Sequence, residues 1–79
     1  MGSAHVFKNK ATLSRVEKEI FSRGHYTGNI RGWDRYGVKF SSPIGYRVSD
    51  NGSKIPLHYG EMKVKAGLYH ITPRTGPAE

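Results

Sequence analysis

The sequence contains no cysteine, so neither a disulfide framework nor a thiolate metal site can support its fold. Long hydrophobic runs are also missing. The apolar stretches are two or three residues, against about 20 needed to span a bilayer. The N-terminus has no apolar signal-peptide core. Acidic residues are scarce, six Asp plus Glu against 13 Lys plus Arg, and the carboxylates nowhere cluster as a two-metal nuclease requires. The four histidines stand at 5, 25, 58 and 70, with no pair at the helical i, i+4 spacing of a zinc site. There is no P-loop and no nucleophile elbow. On these grounds no metal and no cofactor is expected.

What remains is a small, basic, turn-rich chain. Its 79 residues allow one domain with a small core, read as residues 4–79. Met1-Gly2-Ser3 is set aside as a cloning remnant. The net charge of +7 and a pI near 10.0 call for an anionic partner such as nucleic acid, an acidic protein or an anionic membrane surface. The bland alternative is a soluble basic domain without a polyanion partner. Three Phe, five Tyr and one Trp at regular apolar spacing are enough for a folded core rather than a disordered chain. Ten Gly and four Pro suit a mostly-β chain with many turns.

The first third reads as a helix. Leu13, Val16, Ile20 and Phe21 form one stripe at the 3.6 period. Thr12 or Ser14 is the expected N-cap, Ser14 having capping-box spacing to Glu17. Gly24 is placed where a C′ glycine stops a helix, after Arg23 in the last turn. Beyond it the period becomes two. Tyr36, Val38 and Phe40 alternate with polar or small residues, as do Ile44, Tyr46 and Val48, then Ile55, Leu57 and Tyr59, then Met62 and Val64, with a last strand over Leu68 to Thr72. Asp50-Asn51-Gly52 and Ala66-Gly67 are turn signals. Pro56 marks an edge or bulged strand. At Gly60 the apolar positions change from odd to even, as a bulge or turn produces. The fold class expected is α+β: an N-terminal helix packed on a twisted antiparallel β-sheet of four to six short strands, with the other face open.

Alternation then places Arg47, Lys54, His58, Glu61, Lys63, His70 and Thr72 on the open face, with Arg74 just beyond the last strand. Acid/base groups, cations and hydroxyls on one face are what metal-free RNA cleavage requires. A general base takes the 2′-hydroxyl proton, cations stabilise charge on the phosphate oxygens, and a general acid protonates the departing 5′-oxygen. Histidine suits both proton transfers near neutral pH, and Arg and Lys suit the phosphate. The candidate catalytic residues are His70, with Thr72 and Arg74 following at strand spacing; His25, near a helix C-terminus; Thr72; and Glu61. Glu61 reads equally well as a cross-strand partner of Lys63 or Arg47. Arg74, Arg47, Lys63, Lys54, His58, Arg31 and Tyr26 form the expected substrate-binding set. Arg35 and Lys39 are further phosphate candidates or plain solvated charge. Trp33 and Tyr36 suit base stacking or the core.

Several segments resemble a known group: Gly24-His25-Tyr26-Thr27-Gly28-Asn29-Ile30-Arg31-Gly32, Tyr36-Gly37, Ser42-Pro43-Ile44-Gly45-Tyr46-Arg47, Lys54-Ile55-Pro56-Leu57-His58-Tyr59-Gly60-Glu61 and Tyr69-His70-Ile71-Thr72-Pro73-Arg74-Thr75. With the opening Ala4-His5-Val6-Phe7-Lys8, they resemble C-terminal toxin domains of bacterial polymorphic and contact-dependent growth-inhibition systems. The layout is similar to the barnase/EndoU/colicin/RelE-like ribonuclease group across nearly the whole chain. The resemblance implies a metal-independent ribonuclease, acting on tRNA, carried as the tip of a larger secreted effector into the target-cell cytoplasm. It also implies an acidic immunity protein over the active site, and catalytic positions at His25 near the first strand and at His70 and Thr72 on the last. The competing function is a basic RNA-binding module without chemistry. His70, His58 and Glu61 favour chemistry, because a pure binder gains nothing from a carboxylate that repels phosphate. A third function, a domain that binds only an acidic protein, would ignore RNA.

Overall fold

In the computed structural model, which describes residues 2–77, seven strands and one helix follow in the order β1 (Ser3–Phe7), α1 (Lys10–Arg23), β2 (His25–Ile30), β3 (Trp33–Lys39), β4 (Gly45–Ser49), β5 (Lys54–Leu57), β6 (Tyr59–Lys65) and β7 (Leu68–Arg74). Met1, Ala78 and Glu79 lie outside the described residues. The strands form two antiparallel sheets, β1-β4-β5 and β2-β3-β6-β7. The α+β class stands. The expectation of one sheet of four to six strands is corrected to two sheets of three and four. The uncounted strands, β1 and β2, are sheet edges with mostly exposed residues, so neither shows apolar alternation. Ser3, set aside as a remnant, opens β1 opposite Ser49, and the Gly2 N–H donates to Asp50 Oδ2 at 3.1 Å.

The two sheets divide where neighbouring chain segments bend together. Residues 40–44 lead from β3 to β4, and His58 leads from β5 to β6. Hydrogen bonding continues through the bend, from Phe40 N–H to the His58 carbonyl at 2.7 Å and from Ile44 N–H to the Leu57 carbonyl at 2.8 Å. The phase change expected at Gly60 therefore falls at His58. Gly60 has a different role. A Cβ there would stand 2.7 Å from Val16 Cγ1, so its lack of a side chain lets the helix approach the sheet.

The helix begins earlier than its stripe suggests. Asn9 is the N-cap, accepting from Thr12 N–H at 2.8 Å, in place of Thr12 or Ser14. Gly24 does stop the helix, but in an extended conformation (φ −65°, ψ 140°) rather than the left-handed one. A Cβ there would come within 2.6 Å of the Ile20 carbonyl oxygen. Val16 and Ile20, one turn apart, are buried against Val38, Phe40, Ile44 and Met62, with Phe7, Tyr36, Val64 and Ile71 packed around them. Leu13 and Phe21 flank this line and remain exposed, Phe21 meeting Tyr69 edge-on at 5.5 Å. Each fully buried side chain of this kind contributes roughly 1.5–3 kcal/mol.

The turns are as the sequence marks them. Gly52 (φ 86°) closes the β4–β5 hairpin, and Ala66 and Gly67 (φ 52° and 80°) close β6–β7. Arg31 and Gly32 (φ 56° and 87°) make a further two-residue turn between β2 and β3. Pro56 lies in β5, an edge strand.

Candidate functional site

Antiparallel register fixes which side chains share the sheet face turned away from the helix. Paired residues point the same way, and so do residues two apart on a strand. His25 pairs with Gly37, Gly37 with Glu61, and Glu61 with Thr72, giving one cross-strand row. The next row is Arg35, Lys63 and His70, and on the other side Tyr59 pairs with Lys39 and Arg74. The expected grouping of Glu61, Lys63, His70, Thr72 and Arg74 on one face is therefore present. The face is not open throughout. His70 is exposed, but Glu61 is only 2% exposed. The bend at His58 folds the first sheet toward this end, where β1 runs beside β7.

A carboxylate so deeply buried needs cationic partners. Arg35 Nη1 donates to Glu61 Oε1 at 2.8 Å, and Arg74 Nη1 stands 3.7 Å from the same oxygen. Glu61 Oε2 has no protein partner, nor do the buried Nε atoms of Arg35, Arg47 and Arg74. Arg47 comes from β4 and pairs with His5 of β1. The His5 imidazole is held below its usual pKa by partial burial and then by the positive charges of Arg74 and Arg47. The Tyr59 hydroxyl is raised, first by burial and then by the Glu61 charge, with Arg74 opposing. Its phenol lies across Gly37, where a Cβ would fall 1.7 Å from the Tyr59 oxygen. Both sheets thus contribute to one cluster: three guanidinium groups, one carboxylate, an imidazole and a phenol. Its charge is a surplus of two positives before His5 is counted, and its unmet groups include both N–H donors and a carboxylate oxygen. Guanidinium donors beside a carboxylate are the groups that bind an oxyanion and exchange a proton, although the unpartnered atoms are themselves closed to solvent.

The model of one family, a domain of unknown function (DUF6972), matches residues 1–78. The chain belongs to the DUF6972 family. No curated protein and no solved structure matches it significantly. Among the described residues of this DUF6972 domain, no three His, Cys, Asp or Glu side chains are grouped to hold a metal ion, and no helix is long and apolar enough to cross a membrane.

Of the residues expected from sequence, Glu61, Arg74 and Arg47 meet in the cluster, and Thr72 is beside Glu61 in register. His25 stands in the same row, exposed on the edge strand. Lys63 and His70 lie one row away. Four residues of the expected substrate-binding set lie elsewhere. Tyr26 pairs with Tyr36 on the helix side of the sheet and donates to Asp34 Oδ1 at 3.1 Å. Arg31 is in the β2–β3 turn. Lys54 pairs with Val48, on the face of its sheet opposite Arg47, and its Nζ lies 5.8 Å from the Tyr46 ring centroid. His58 is half-buried at the bend, its Nδ1 3.3 Å from the Phe40 carbonyl oxygen, where the Nδ1-protonated tautomer donates.

Of the other three members, Arg35 is among the phosphate candidates of the sequence and His5 among its four histidines, while Tyr59 reads there only as an apolar strand position. Arg35 alternates with Tyr36 and Val38, so its face was legible, but its nearness to Glu61 was not. His5 belongs to an edge strand without a pattern. Tyr59 had been placed on the apolar face because the phase change was set at Gly60, whereas β6 runs unbroken from Tyr59 and puts Tyr59 and Glu61 on one face.

Proposed function

We propose that the DUF6972 domain is a metal-independent endoribonuclease that cleaves RNA by attack of the ribose 2′-hydroxyl on the adjacent phosphate. The observation that carries this reading is the buried Glu61 carboxylate, with one oxygen unpartnered, inside an arginine cluster of surplus positive charge. A phosphodiester supplies the acceptor oxygens that the Arg35, Arg47 and Arg74 Nε–H groups lack, and its single negative charge offsets half of the surplus of two, leaving one positive charge for the negative charge that builds in the transition state. Glu61 Oε2, closed to solvent in the free protein, is uncovered as the strand binds and accepts the 2′-hydroxyl proton. The 2′-oxygen bonds to phosphorus, the arginines stabilise the added charge on the phosphate oxygens, and the bond to the 5′-oxygen breaks. His5 delivers a proton to that oxygen. The products are a 2′,3′-cyclic phosphate and a 5′-hydroxyl.

His5 fits this role through its charge environment. In the free protein, burial and two arginines lower its proton affinity. A phosphodiester on those arginines offsets their charge and removes that part of the lowering, while the larger part, from burial, remains. The substrate thereby promotes protonation of the acid that serves it. His25 and Thr72 belong to the same cross-strand row as Glu61, and in this reading they contact the ribose or phosphate of a bound strand. The net charge of +7 supports a polyanionic substrate such as tRNA, and an acidic immunity protein as the inhibitor of a toxin delivered into a target cell.

The burial of Glu61 favours one competing reading, in which the carboxylate only ties arginines together in a non-catalytic RNA-binding module. The pH dependence of cleavage separates the two. The basic limb of kcat/KM, which reports the free protein, is expected below about 6.5 and at higher pH in kcat, which reports the complex. His5→Ala should remove that limb. A basic limb that His5→Ala leaves in place removes His5 from the chemistry, whereas no cleavage by a folded protein that binds RNA favours the binding module.

A further inference from the structure

Beyond Arg35 the same face carries a second cluster that the proposed chemistry does not use. Trp33, the only tryptophan in the chain, opens β3 two residues before Arg35. Its ring centroid is 5.6 Å from that of His70, with the planes at 56°. Lys63 Nζ and Lys65 Nζ stand 5.0 and 5.8 Å from the indole centroid. Two ammonium groups thus converge on one indole with no carboxylate among the four residues. Asp34, the next residue along β3, is engaged on the other face by Tyr26 and Asn29. His70 and Lys65 are exposed, and Trp33 and Lys63 are half-exposed.

A half-exposed indole beside an imidazole and two lysine ammonium groups matches a planar base attached to phosphates. The lysines hold the ring by weak cation–π contacts and can exchange it for a phosphate oxygen as a base stacks in their place. Trp33 is four residues from Gly37, so it lies about 13 Å along the strand from the Glu61 row. A ligand reaching both must be a strand rather than a mononucleotide. It must also be single-stranded, because bases in a duplex already cover one another's faces.

We infer that Trp33, with His70, Lys63 and Lys65, is a stacking subsite for an unpaired base that flanks the phosphate held by Arg35 and Arg74. The inference rests on the ribonuclease reading for the identity of the strand as RNA. Stacking on an indole is tolerant of base identity, so this subsite supplies affinity and register rather than sequence choice.

Because Trp33 is the sole tryptophan, its fluorescence reports the subsite directly. The probes are a short 2′-O-methyl oligoadenylate, which cannot be cut by 2′-attack, and an abasic oligomer of equal length and charge. The wild-type protein is expected to show saturable quenching with the first and binding on the order of tenfold weaker with the second. Trp33→Ala, followed by anisotropy of labelled oligoadenylate, should lose a similar factor, while Trp33→Phe keeps most of the affinity. Equal affinity for the two oligomers, or unchanged emission at saturation, overturns the subsite without any variant having to fold. Quenching in a protein that does not cut RNA upholds the subsite and fails the catalytic reading. Cleavage of RNA with no preference for base-bearing over abasic oligomers fails the subsite alone.

Discussion

Replacing Arg35 by methionine isolates the ion pair on which the site depends. The Glu61 side chain is 3% exposed and Arg35 13%, at 2.8 Å. The second cation, Arg74, is 36% exposed and 3.7 Å away, so solvent screens it and it compensates only in part. Breaking a buried pair from one side costs about 3–5 kcal/mol, and the residual Arg74 contact places Arg35→Met near the lower figure. With a melting shift of about 4–8 °C per kcal/mol at this size, Arg35→Met should lose roughly 12–24 °C. Total stability for a domain is of order 5–15 kcal/mol, so such a loss is readily measured. The informative partner is Arg35→Met with Glu61→Met. It removes the stranded carboxylate, and buried pairs exchanged for apolar residues of similar volume are often neutral or stabilising. The double variant should recover most of the loss, while cleavage is absent from both. Thermal melting by circular dichroism and urea titration, run beside an RNA assay, give the double-mutant cycle. A double variant no more stable than Arg35→Met would refute the reasoning, because the pair would then be holding β3 to β6 rather than serving a site.

Three further outcomes follow from the geometry. The His5 pKa is lowered in the folded protein, so the unfolded chain binds the proton first; stability should therefore fall as pH drops below about 6.5, and His5→Ala should flatten that slope in pH-dependent urea titrations. Gly37→Ala puts a methyl group into the Tyr59 phenol and should cost about 1–3 kcal/mol by denaturant titration, with Gly37→Ala/Tyr59→Ala less than additive. Asn9→Ala should remove about 1 kcal/mol by losing the cap to Thr12, whereas Ser14→Ala, which caps nothing, should stay within about 0.5 kcal/mol.

Much of the fold was legible because local physics fixes it. The 3.6 period found Val16 and Ile20, the residues that the helix buries, and the glycine turns at 52 and 67 located two hairpins. Alternation placed Glu61, Lys63, His70 and Thr72 on one face, as the register has them. What local pattern cannot carry is curvature. One bend at His58, beside residues 40–44, splits the strands into two sheets and brings Arg47 and His5 to Arg74, all far apart in sequence. Nor does alternation show that Glu61 is buried, beside Arg35 and Arg74, rather than open to solvent. Edge strands β1 and β2 were missed because a strand that buries neither face needs no alternation, and without β1 nothing in the sequence brings His5 to Arg47 and Arg74.

The most direct measurement incubates the purified domain with bacterial RNA in EDTA, beside Glu61→Gln at equal concentration, and identifies the ends produced. The expected result is discrete fragments ending in 2′,3′-cyclic phosphate from the wild type, and at least a hundredfold fewer, on the order of what a lost general base costs, from Glu61→Gln. RNA left intact by the folded wild type, or cut equally well by Glu61→Gln, would contradict the assignment of chemistry to the buried carboxylate.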